Sequence, residues 1–347
     1  MIASAFFPAL LALLPATLAS PVPQVKTTGT TKVKQVISQD FADPSLFQDY
    51  NDWWAFSTNN HKTLGKPNAI GSQSLINVQV AHSTDNLNSW TVTGQDALPT
   101  VGAWVHAQGA AVWAPNVVKN AQGQYVLHYS AAYGGDPSKH CVGAAVASKP
   151  QGPYTPQPQP IACNLAVGGA IDSSAFHDAD GSYWLVYKVD GNSIGHGGSC
   201  GNTVQPIVPT PIMLQRLQSD GYTPVGAPTQ LLDRSDGDGP LIEAPSLART
   251  SDGKYVLFFS SNCFATDNYD VSYAFADKIT GPYVKRGPMM VTGTDGLYSP
   301  GGAHVAHDGV HMVFHAGDVG PQNLGYRAMY QTTISIDTSR QVVSSTV

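Results

Sequence analysis

The segment EAPSLARTSDGKYVLFFS at residues 243–260 contains the pattern that decides the fold. It has an acidic residue, a short apolar stretch, a turn with Asp, Gly or Asn, and an aromatic-rich alternating stretch. The same parts recur in DSSAFHDADGSYWLVYK at 172–188 and in DPSLFQDYNDWWAFST at 43–58. Two further copies, at 113–130 and 302–316, lack the leading acid. A turn between two such stretches predicts a β-hairpin.

Each copy continues past its hairpin into a second pair of predicted strands. After the second and fourth copies this pair ends in a Gly-Pro-Tyr turn, at 152–154 and at 281–283. Five copies at intervals of roughly 60–70 residues indicate a repeat architecture. Four strands per repeat and five repeats predict an all-β, five-bladed β-propeller with four antiparallel strands per blade. A β-sandwich is the alternative fold, but it would not explain this period.

The composition agrees with a fold of short strands joined by tight turns. Charged residues make up 12% of the chain, and there are 34 Gly and 25 Pro, which argues against a helical bundle. The formal net charge is -6, and no cluster of Lys or Arg offers a surface that could follow phosphates. We therefore expect no nucleic-acid partner.

The N-terminus has the features of a targeting segment. Residues 1–19 combine an apolar stretch with small residues before a cleavage site after Ala19, which predicts a secretory signal peptide. A membrane anchor is the alternative, but the apolar run is too short to span a bilayer. Residues 20–35 are predicted to be a linker or a short pro-segment, and 36–347 a single propeller domain. We expect a secreted, extracellular protein with no membrane partner.

Four cysteines in a secreted chain predict two disulfides, for which three connectivities exist. Cys141 and Cys163 fall inside one repeat, and Cys200 and Cys263 lie in loops that follow equivalent strands. We therefore predict the pairs Cys141–Cys163 and Cys200–Cys263. A zinc site is the alternative, but the chain has no Cys-x-x-Cys pair.

If the repeats close into a ring, their first strands meet at its axis. Asp43, Asp172 and Glu243 open three of these strands, and we expect them in one register around a central cavity. Carboxylates crowded together destabilise a fold, so their presence indicates chemistry. Two carboxyl groups across a cleft suit glycoside hydrolysis, because one protonates the leaving oxygen while the other activates water. The loops predicted to form the cavity rim are 58–74, 131–140, 189–210, 261–269 and 317–325, with the connections 95–112 and 287–300.

The strand openings also resemble those of a known family. ADPS at 42–45, WAPN at 113–116, AIDSS at 170–174 and IEAPS at 242–246 are similar to the blade-opening motifs of glycoside hydrolase family 43. That family consists of five-bladed propellers and includes α-L-arabinofuranosidases, arabinanases and β-xylosidases. The resemblance runs from about residue 38 to the C-terminus.

The resemblance implies roles for the three acids. Asp43 would be the general base, Glu243 the general acid, and Asp172 the residue that raises the pKa of Glu243 and orients it. It also implies an inverting mechanism. By the same resemblance, His304 would lie on the axis near a calcium ion or beside Asp172, and Arg327 would reach the sugar or Asp172. No cofactor is expected to be required, and the sequence has no calcium loop, so a structural calcium ion rests on the resemblance alone.

Aromatic side chains near the predicted cavity are candidates for stacking on sugar rings. Trp113 is the best placed, followed by Trp54, Trp104 and Tyr298, although aromatics in blade strands also suit the core between blades. The rim histidines His106 and His196 could donate hydrogen bonds to sugar hydroxyls or stay exposed.

The sequence therefore predicts a secreted, monomeric, inverting hydrolase of α-L-arabinofuranosyl linkages, an α-L-arabinofuranosidase or exo-arabinanase. Its substrates would be plant cell-wall arabinan, arabinoxylan or their oligosaccharides. The alternatives are a β-xylosidase, an endo-1,5-α-L-arabinanase and, more distantly, a non-catalytic carbohydrate-binding propeller. Retaining fructosidases share the propeller, but their motifs differ at all three acids. Pentose, linkage and exo or endo action depend on rim loops such as 95–112 and 189–210, whose shape the sequence leaves open.

Overall fold

The computed structural model describes residues 33–61, 75–319 and 324–346, and in these ranges twenty-one strands form five antiparallel sheets. Strand β1 (Lys34–Ile37) comes first and belongs to the last sheet. Blades 1 and 2 contain β2 (Ser45–Asp49), β3 (Asp52–Ser57), β4 (Gln79–Ser83), β5 (Thr91–Asp96), β6 (Trp113–Lys119), β7 (Tyr125–Tyr133), β8 (Asp136–Ala147) and β9 (Thr155–Pro156). Blades 3 and 4 contain β10 (Ala170–His177), β11 (Tyr183–Val189), β12 (Ile212–Leu217), β13 (Pro224–Leu232), β14 (Ile242–Arg249), β15 (Tyr255–Ser261), β16 (Ser272–Ala276) and β17 (Val284–Lys285). Blade 5 contains β18 (Gly301–Val305), β19 (His311–Ala316), β20 (Ala328–Asp337) and β21 (Val342–Thr346).

The order of strands within each of blades 1 to 4 follows the chain, as in a propeller. The predicted fold of five blades, each built on four antiparallel strands, is therefore confirmed. The helices of the described residues are five short 3₁₀ turns, and none of them is long and apolar enough to cross a membrane. These turns are Leu165–Val167, Gly191–Ile194, Ser199–Gly201, Asp236–Asp238 and Thr294–Gly296.

Blade 5 closes the ring with both ends of the propeller chain. The long strand β20 pairs with β1 through Tyr330, opposite Gln35, and with β21 through Ile336, opposite Val343. Two short strands thus lie along one long neighbour, so β1 is a fifth strand added to the predicted four of blade 5. Strand β1 includes the last two residues of the predicted linker 20–35. The predicted signal peptide and the rest of that linker lie outside the described residues.

The core lies between the blades. Within the described residues, five clusters of buried side chains fill the five junctions between neighbouring blades. At the first junction Phe56 of blade 1 packs in one cluster with Leu127 and Tyr129 of blade 2. At the closing junction Trp53 packs in one cluster with Val313 of blade 5. Each such side chain contributes roughly 1.5–3 kcal/mol of burial, so the ring is stabilised at every junction.

Two disulfides are present, with the predicted pairing. Cys141–Cys163 lies within blade 2, and Cys200–Cys263 joins the loop after β11 to the loop after β15. The second disulfide therefore connects loops of two adjacent blades at the end of the propeller where the acids were predicted.

Candidate active site

In every blade, a residue within the first three positions of the innermost strand or just before that strand lies in the left-handed backbone region. The φ angles are 51° at Asp43, 43° at Ala114, 56° at Asp172, 52° at Ala244 and 60° at Gly302. Asp43 and Asp172 therefore occupy equivalent positions. Glu243 lies one residue earlier, level with Trp113, so the prediction of one register for all three acids is wrong. The prolines that follow Asp43, Ala114 and Ala244 align the copies, and this alignment places Glu243 one position ahead of the aspartates.

The backbone N–H groups of these five residues form a ring of hydrogen bonds from blade to blade, called here the axial ring. In four places the acceptor is a side chain in the C-terminal half of the preceding blade's second strand or directly after that strand. The bonds are Ala114 N–H to Thr58 Oγ1 (3.0 Å), Asp172 N–H to Ser130 Oγ (3.0 Å), Gly302 N–H to Ser260 Oγ (2.9 Å) and Asp43 N–H to His315 Nδ1 (3.1 Å).

The fifth place in the axial ring differs. Lys188 stands opposite Ile171, as Ser130 stands opposite Trp113 and Ser260 opposite Glu243. A lysine ammonium has no acceptor to offer the next blade. The N–H of Ala244 instead donates to Asp172 Oδ2 at 3.0 Å. This bond holds the Asp172 carboxyl beside the backbone of Glu243.

Asp43 is surrounded by hydrogen-bond donors and positive charge. The Arg327 guanidinium donates to its Oδ1 at 2.9 Å, and the Thr58 hydroxyl donates to its Oδ2 at 2.5 Å. His315 Nδ1 lies 3.4 Å from Oδ1. Burial by itself would raise the pKa of Asp43, but Arg327, His315 and Thr58 together hold that pKa below its ordinary value. Asp43 is therefore ionised at neutral pH.

Glu243 is held at both carboxyl oxygens. The Lys188 ammonium donates to Oε2 at 3.0 Å, and the Tyr269 hydroxyl donates to Oε1 at 2.9 Å. Lys188 also lies 3.1 Å from Asp190 Oδ1, and its side chain is fully buried. The Glu243 side chain keeps 12% of its surface exposed, which leaves it accessible from the cavity.

The pKa of Asp172 is shifted in the opposite direction to that of Asp43. Burial and the neighbouring Glu243 carboxylate raise the pKa of Asp172 to about 8, although Lys188 lowers it. Two neighbouring carboxyl groups titrate as a pair, because ionising one opposes ionising the other. The Asp172–Glu243 pair therefore retains a proton at neutral pH, while Asp43 does not.

The three acids line one cavity, called here the carboxylate cavity. Trp113 forms part of its wall and stacks on His140, with ring centroids 3.7 Å apart. Phe264, which is 37% exposed, lies under the Arg327 guanidinium at 5.1 Å. The other described lining residues are Ser138, Ile171, Lys188, Asp190, Asn192, Ser193, Cys200, Leu241 and Tyr269.

The structure distributes the predicted rim segments unequally around the carboxylate cavity. The loops 131–140, 189–210 and 261–269 each contribute lining residues, whereas the connections 95–112 and 287–300 contribute none of the described ones. The remaining loops, 58–74 and 317–325, lie partly outside the described residues.

Two predicted sugar platforms lie in the core instead. Trp54 is buried between blades 1 and 2 and stacks on His82 at 3.9 Å. Trp104 is buried in the same cluster, 5.7 Å from the Tyr129 ring, where its indole fills the space above Gly143. Burial against neighbouring blades is the stronger driving force for such large rings.

Three other predicted rim residues also fall outside the carboxylate cavity. Tyr298, half-buried in the connection before β18, is not among the described lining residues. His106 and His196 are not among them either, and the His196 ring contacts the Pro206 carbonyl at 2.8 Å. Arg327 does line the cavity, but the acid that it binds is Asp43 rather than Asp172.

His304 lies deeper on the axis than the acids. Its Nδ1 accepts the Leu46 N–H at 3.1 Å, and its Nε2 lies 2.8 Å from the Asn116 amide nitrogen. Ser246 accepts the Val305 N–H in the same way at the preceding junction. His304 therefore joins blade 5 to blade 1, and it is not among the described residues that line the carboxylate cavity.

A calcium ion near His304 finds no fitting ligands among the described residues. Both ring nitrogens already have protein partners, and burial lowers the pKa of His304 to about 4, which keeps the ring neutral. Calcium requires six to eight oxygen ligands. The described part of the chain contains no group of three or more His, Cys, Asp or Glu side chains that could hold a metal.

Sequence reasoning missed Lys188, Tyr269, His315 and Thr58, which surround the acids. Three of them had a visible signal, because Thr58, Lys188 and His315 come at the ends of the repeated hairpins where other copies have Ser130 and Ser260. Tyr269 had none, since it reaches Glu243 from a loop.

We predict that Gly302→Ala disturbs the base side of the site. Alanine occupies the equivalent position in blades 2 and 4, so the backbone angle is tolerated there. In blade 5, however, a Cβ on Gly302 would lie 2.6 Å from the His315 ring. Displacing His315 from Asp43 is expected to cost about 1–3 kcal/mol in the free energy of unfolding and at least tenfold in kcat. Denaturant unfolding and kinetics measure both, and wild-type values would contradict the role given to His315.

Comparison with known proteins gives a consistent result. A family model described as "Glycosyl hydrolases family 43" matches residues 33–335. The extracellular endo-α-(1→5)-L-arabinanase 2 of Bacillus subtilis (strain 168) is 25% identical over 74% of this chain, and the match spans about half (53%) of that protein. The β-D-galactofuranosidase xynD of Aspergillus niger is 24% identical over 94% of this chain and 85% of that protein.

Among solved structures, a thermostable family-43 glycoside hydrolase has a TM-score of 0.68 at 20% identity, covering 89% of this chain and 93% of that one. An endo-1,4-β-xylanase from Bacteroides thetaiotaomicron has a TM-score of 0.66 at 24% identity, covering 90% and 96%. At these identities the two structures support the fold alone.

Proposed function

This chain belongs to family 43 of the glycosyl hydrolases, and we propose that it hydrolyses α-L-arabinofuranosyl linkages of plant cell-wall polysaccharides with inversion at the anomeric carbon. The observation that carries the proposal is that one cavity contains both an ionised carboxylate and a carboxyl site that retains a proton. Asp43 is held ionised, and the Asp172–Glu243 pair retains a proton. Base and acid are thus both ready at the same pH.

The reaction follows from these protonation states. Asp43 accepts a proton from a water molecule, whose oxygen attacks the anomeric carbon. The glycosidic C–O bond breaks, and Glu243 transfers its proton to the leaving oxygen. In this proposal the proton that Asp172 holds at neutral pH is the one that reaches Glu243 for the next cycle. Exchange with solvent then returns the proton from Asp43 to the acid pair, and the cycle can repeat.

The walls of the carboxylate cavity support action at chain ends. The loop with Asn192 and Ser193 forms one wall, and the Cys200–Cys263 disulfide ties it to the loop that includes Phe264. Ser138 and His140 come from the extended β7–β8 hairpin of blade 2. Walls from three blades favour a terminal sugar over the middle of a polymer, so we propose an α-L-arabinofuranosidase or exo-arabinanase, secreted and acting as a monomer.

The names of the relatives support neighbouring alternatives. The Bacillus relative is named an endo-arabinanase, and the Aspergillus relative, which aligns with most of this chain, is named a β-D-galactofuranosidase. A xylosidase/arabinosidase of Humicola insolens is 34% identical over 24% of this chain. A β-xylosidase, an endo-acting arabinanase and a galactofuranosidase are therefore the competing activities.

A substrate panel tests the proposal. We expect the protein to release arabinose from an aryl α-L-arabinofuranoside and from arabinan, faster than it cleaves the xyloside or galactofuranoside counterparts. NMR of the first product should show the inverted anomer. Arabinan fragments without free arabinose would indicate endo action, and no cleavage of any glycoside would contradict the proposed function. The Asp43→Asn protein is the matched control for contaminating activity.

A further inference from the structure

We propose that Lys188 is the positioning residue for the acid side of the site, acting on Glu243 directly and on Asp172 through the axial ring. This inference rests on the proposed function, because it assigns the acid pair a task that Lys188 serves. Lys188 itself transfers no proton and forms no bond to substrate.

Lys188 is the exception in the axial ring. Four blades offer the next blade an acceptor, a hydroxyl or an imidazole nitrogen. Lys188 occupies the fifth acceptor position and has donors only. A buried N–H without a partner costs about 1–3 kcal/mol, so Ala244 requires another acceptor. Asp172 supplies it, and the bond from Ala244 fixes the Asp172 carboxyl next to Glu243.

Lys188 also contacts the proposed acid directly. The Lys188 ammonium lies 3.0 Å from Glu243 Oε2 and 3.1 Å from Asp190 Oδ1, fully buried on the central strand β11. With the Tyr269 hydroxyl on Oε1, both oxygens of Glu243 have a fixed donor. A side chain held this way keeps one orientation towards the leaving oxygen.

Lys188 also contributes to the balance of charge around the acid pair. The groups facing the acid pair are the carboxyls of Asp43 and Asp190, the phenol of Tyr269 and the ammonium of Lys188. Lys188 is the nearby cation that lowers the pKa of Asp172 against burial and Glu243. Removing this charge raises the pKa of Asp172, so its proton is kept to higher pH. The alkaline limb of the pH–rate profile then moves upward.

Three substitutions separate positioning from charge. Lys188→Met removes the charge but provides no acceptor, so Asp172 stays bound to Ala244. Lys188→Ser also removes the charge, and it places a hydroxyl where Ser130 and Ser260 already accept the N–H of the next blade, so Asp172 is released. Lys188→Arg keeps the charge. Ser246→Ala is the control, since it deletes an axial hydrogen bond that does not involve the acids.

We expect the pH at which kcat/KM falls on the alkaline side to increase by about one unit or more in Lys188→Met and Lys188→Ser. This pH should not change in Lys188→Arg and Ser246→Ala. On arabinan, kcat should fall at least tenfold further in Lys188→Ser than in Lys188→Met, with KM unchanged. The proposal would be overturned if the alkaline limb stayed at its wild-type pH in a folded Lys188→Met or Lys188→Ser protein, or if these two variants had equal kcat.

If neither Lys188→Met nor Lys188→Ser folds, Lys188→Arg tests the proposal. An arginine variant that folds and keeps the wild-type limb supports the role of the charge, whereas a limb raised by a pH unit refutes it. Failure of the proposed function has a different signature, namely that the wild-type protein cleaves none of the glycosides in the panel.

Discussion

Asp43→Asn is expected to lose at least about a thousandfold in kcat on every glycoside that the wild-type protein cleaves. The amide cannot take a proton from the attacking water, and this step is needed whatever the leaving group. The loss should therefore be the same for a nitrophenyl arabinofuranoside and for arabinan. Steady-state kinetics on both substrates measure it.

The fold of the Asp43→Asn protein is the control for this prediction. Asparagine is nearly the same size, and its amide oxygen can still accept the hydrogen bond from Arg327 while its NH2 group donates to the Thr58 hydroxyl, so the five interblade clusters should persist. Near-ultraviolet circular dichroism and the Tm report on that packing. A folded variant that keeps a tenth of the wild-type kcat would show that Asp43 is not the base.

Glu243→Gln is expected to separate substrates by their leaving groups. On arabinan, where the departing sugar oxygen needs a proton, kcat should fall about a thousandfold or more. On a nitrophenyl arabinofuranoside the loss should be no more than about tenfold, because that phenolate leaves without protonation. The amide still offers Lys188 an oxygen, and Lys188 keeps Asp190 as its charged partner.

The contrast between the two variants is the decisive measurement. A general acid and a general base differ in whether the leaving group rescues the loss, and a merely structural defect would depress both substrates equally. Equal losses on the two substrates in Glu243→Gln would remove Glu243 from the acid role and leave Asp172 as the candidate.

Much of the fold could be predicted because each repeat can be recognised from a short stretch of sequence. Turn residues and alternating strands recur with a regular period, and the size of the repeat matches one blade. Closure of the ring could not be read in this way. Strands β1 and β21 carry no repeat signal, and only the folded structure shows that both pair with β20 in the last blade.

The candidate site was predictable in part. The position of the acids at strand openings was enough to expect Asp43, Asp172 and Glu243 in one cavity, since equivalent strands of a ring meet at its axis. The other residues of the site could not be predicted. Trp54 and Trp104 resemble sugar platforms in sequence, but they face neighbouring blades, and the sequence contains no record of which face of a strand lies against which neighbour.

The sequence by itself determined the architecture, the identity of the acids and the disulfide pairing, because each depends on local patterns or on the order of equivalent segments. Only the tertiary structure decided how the acids are tuned. The pKa of a carboxyl group depends on charges within a few ångströms, and Arg327 and Lys188 reach Asp43 and Glu243 from other blades.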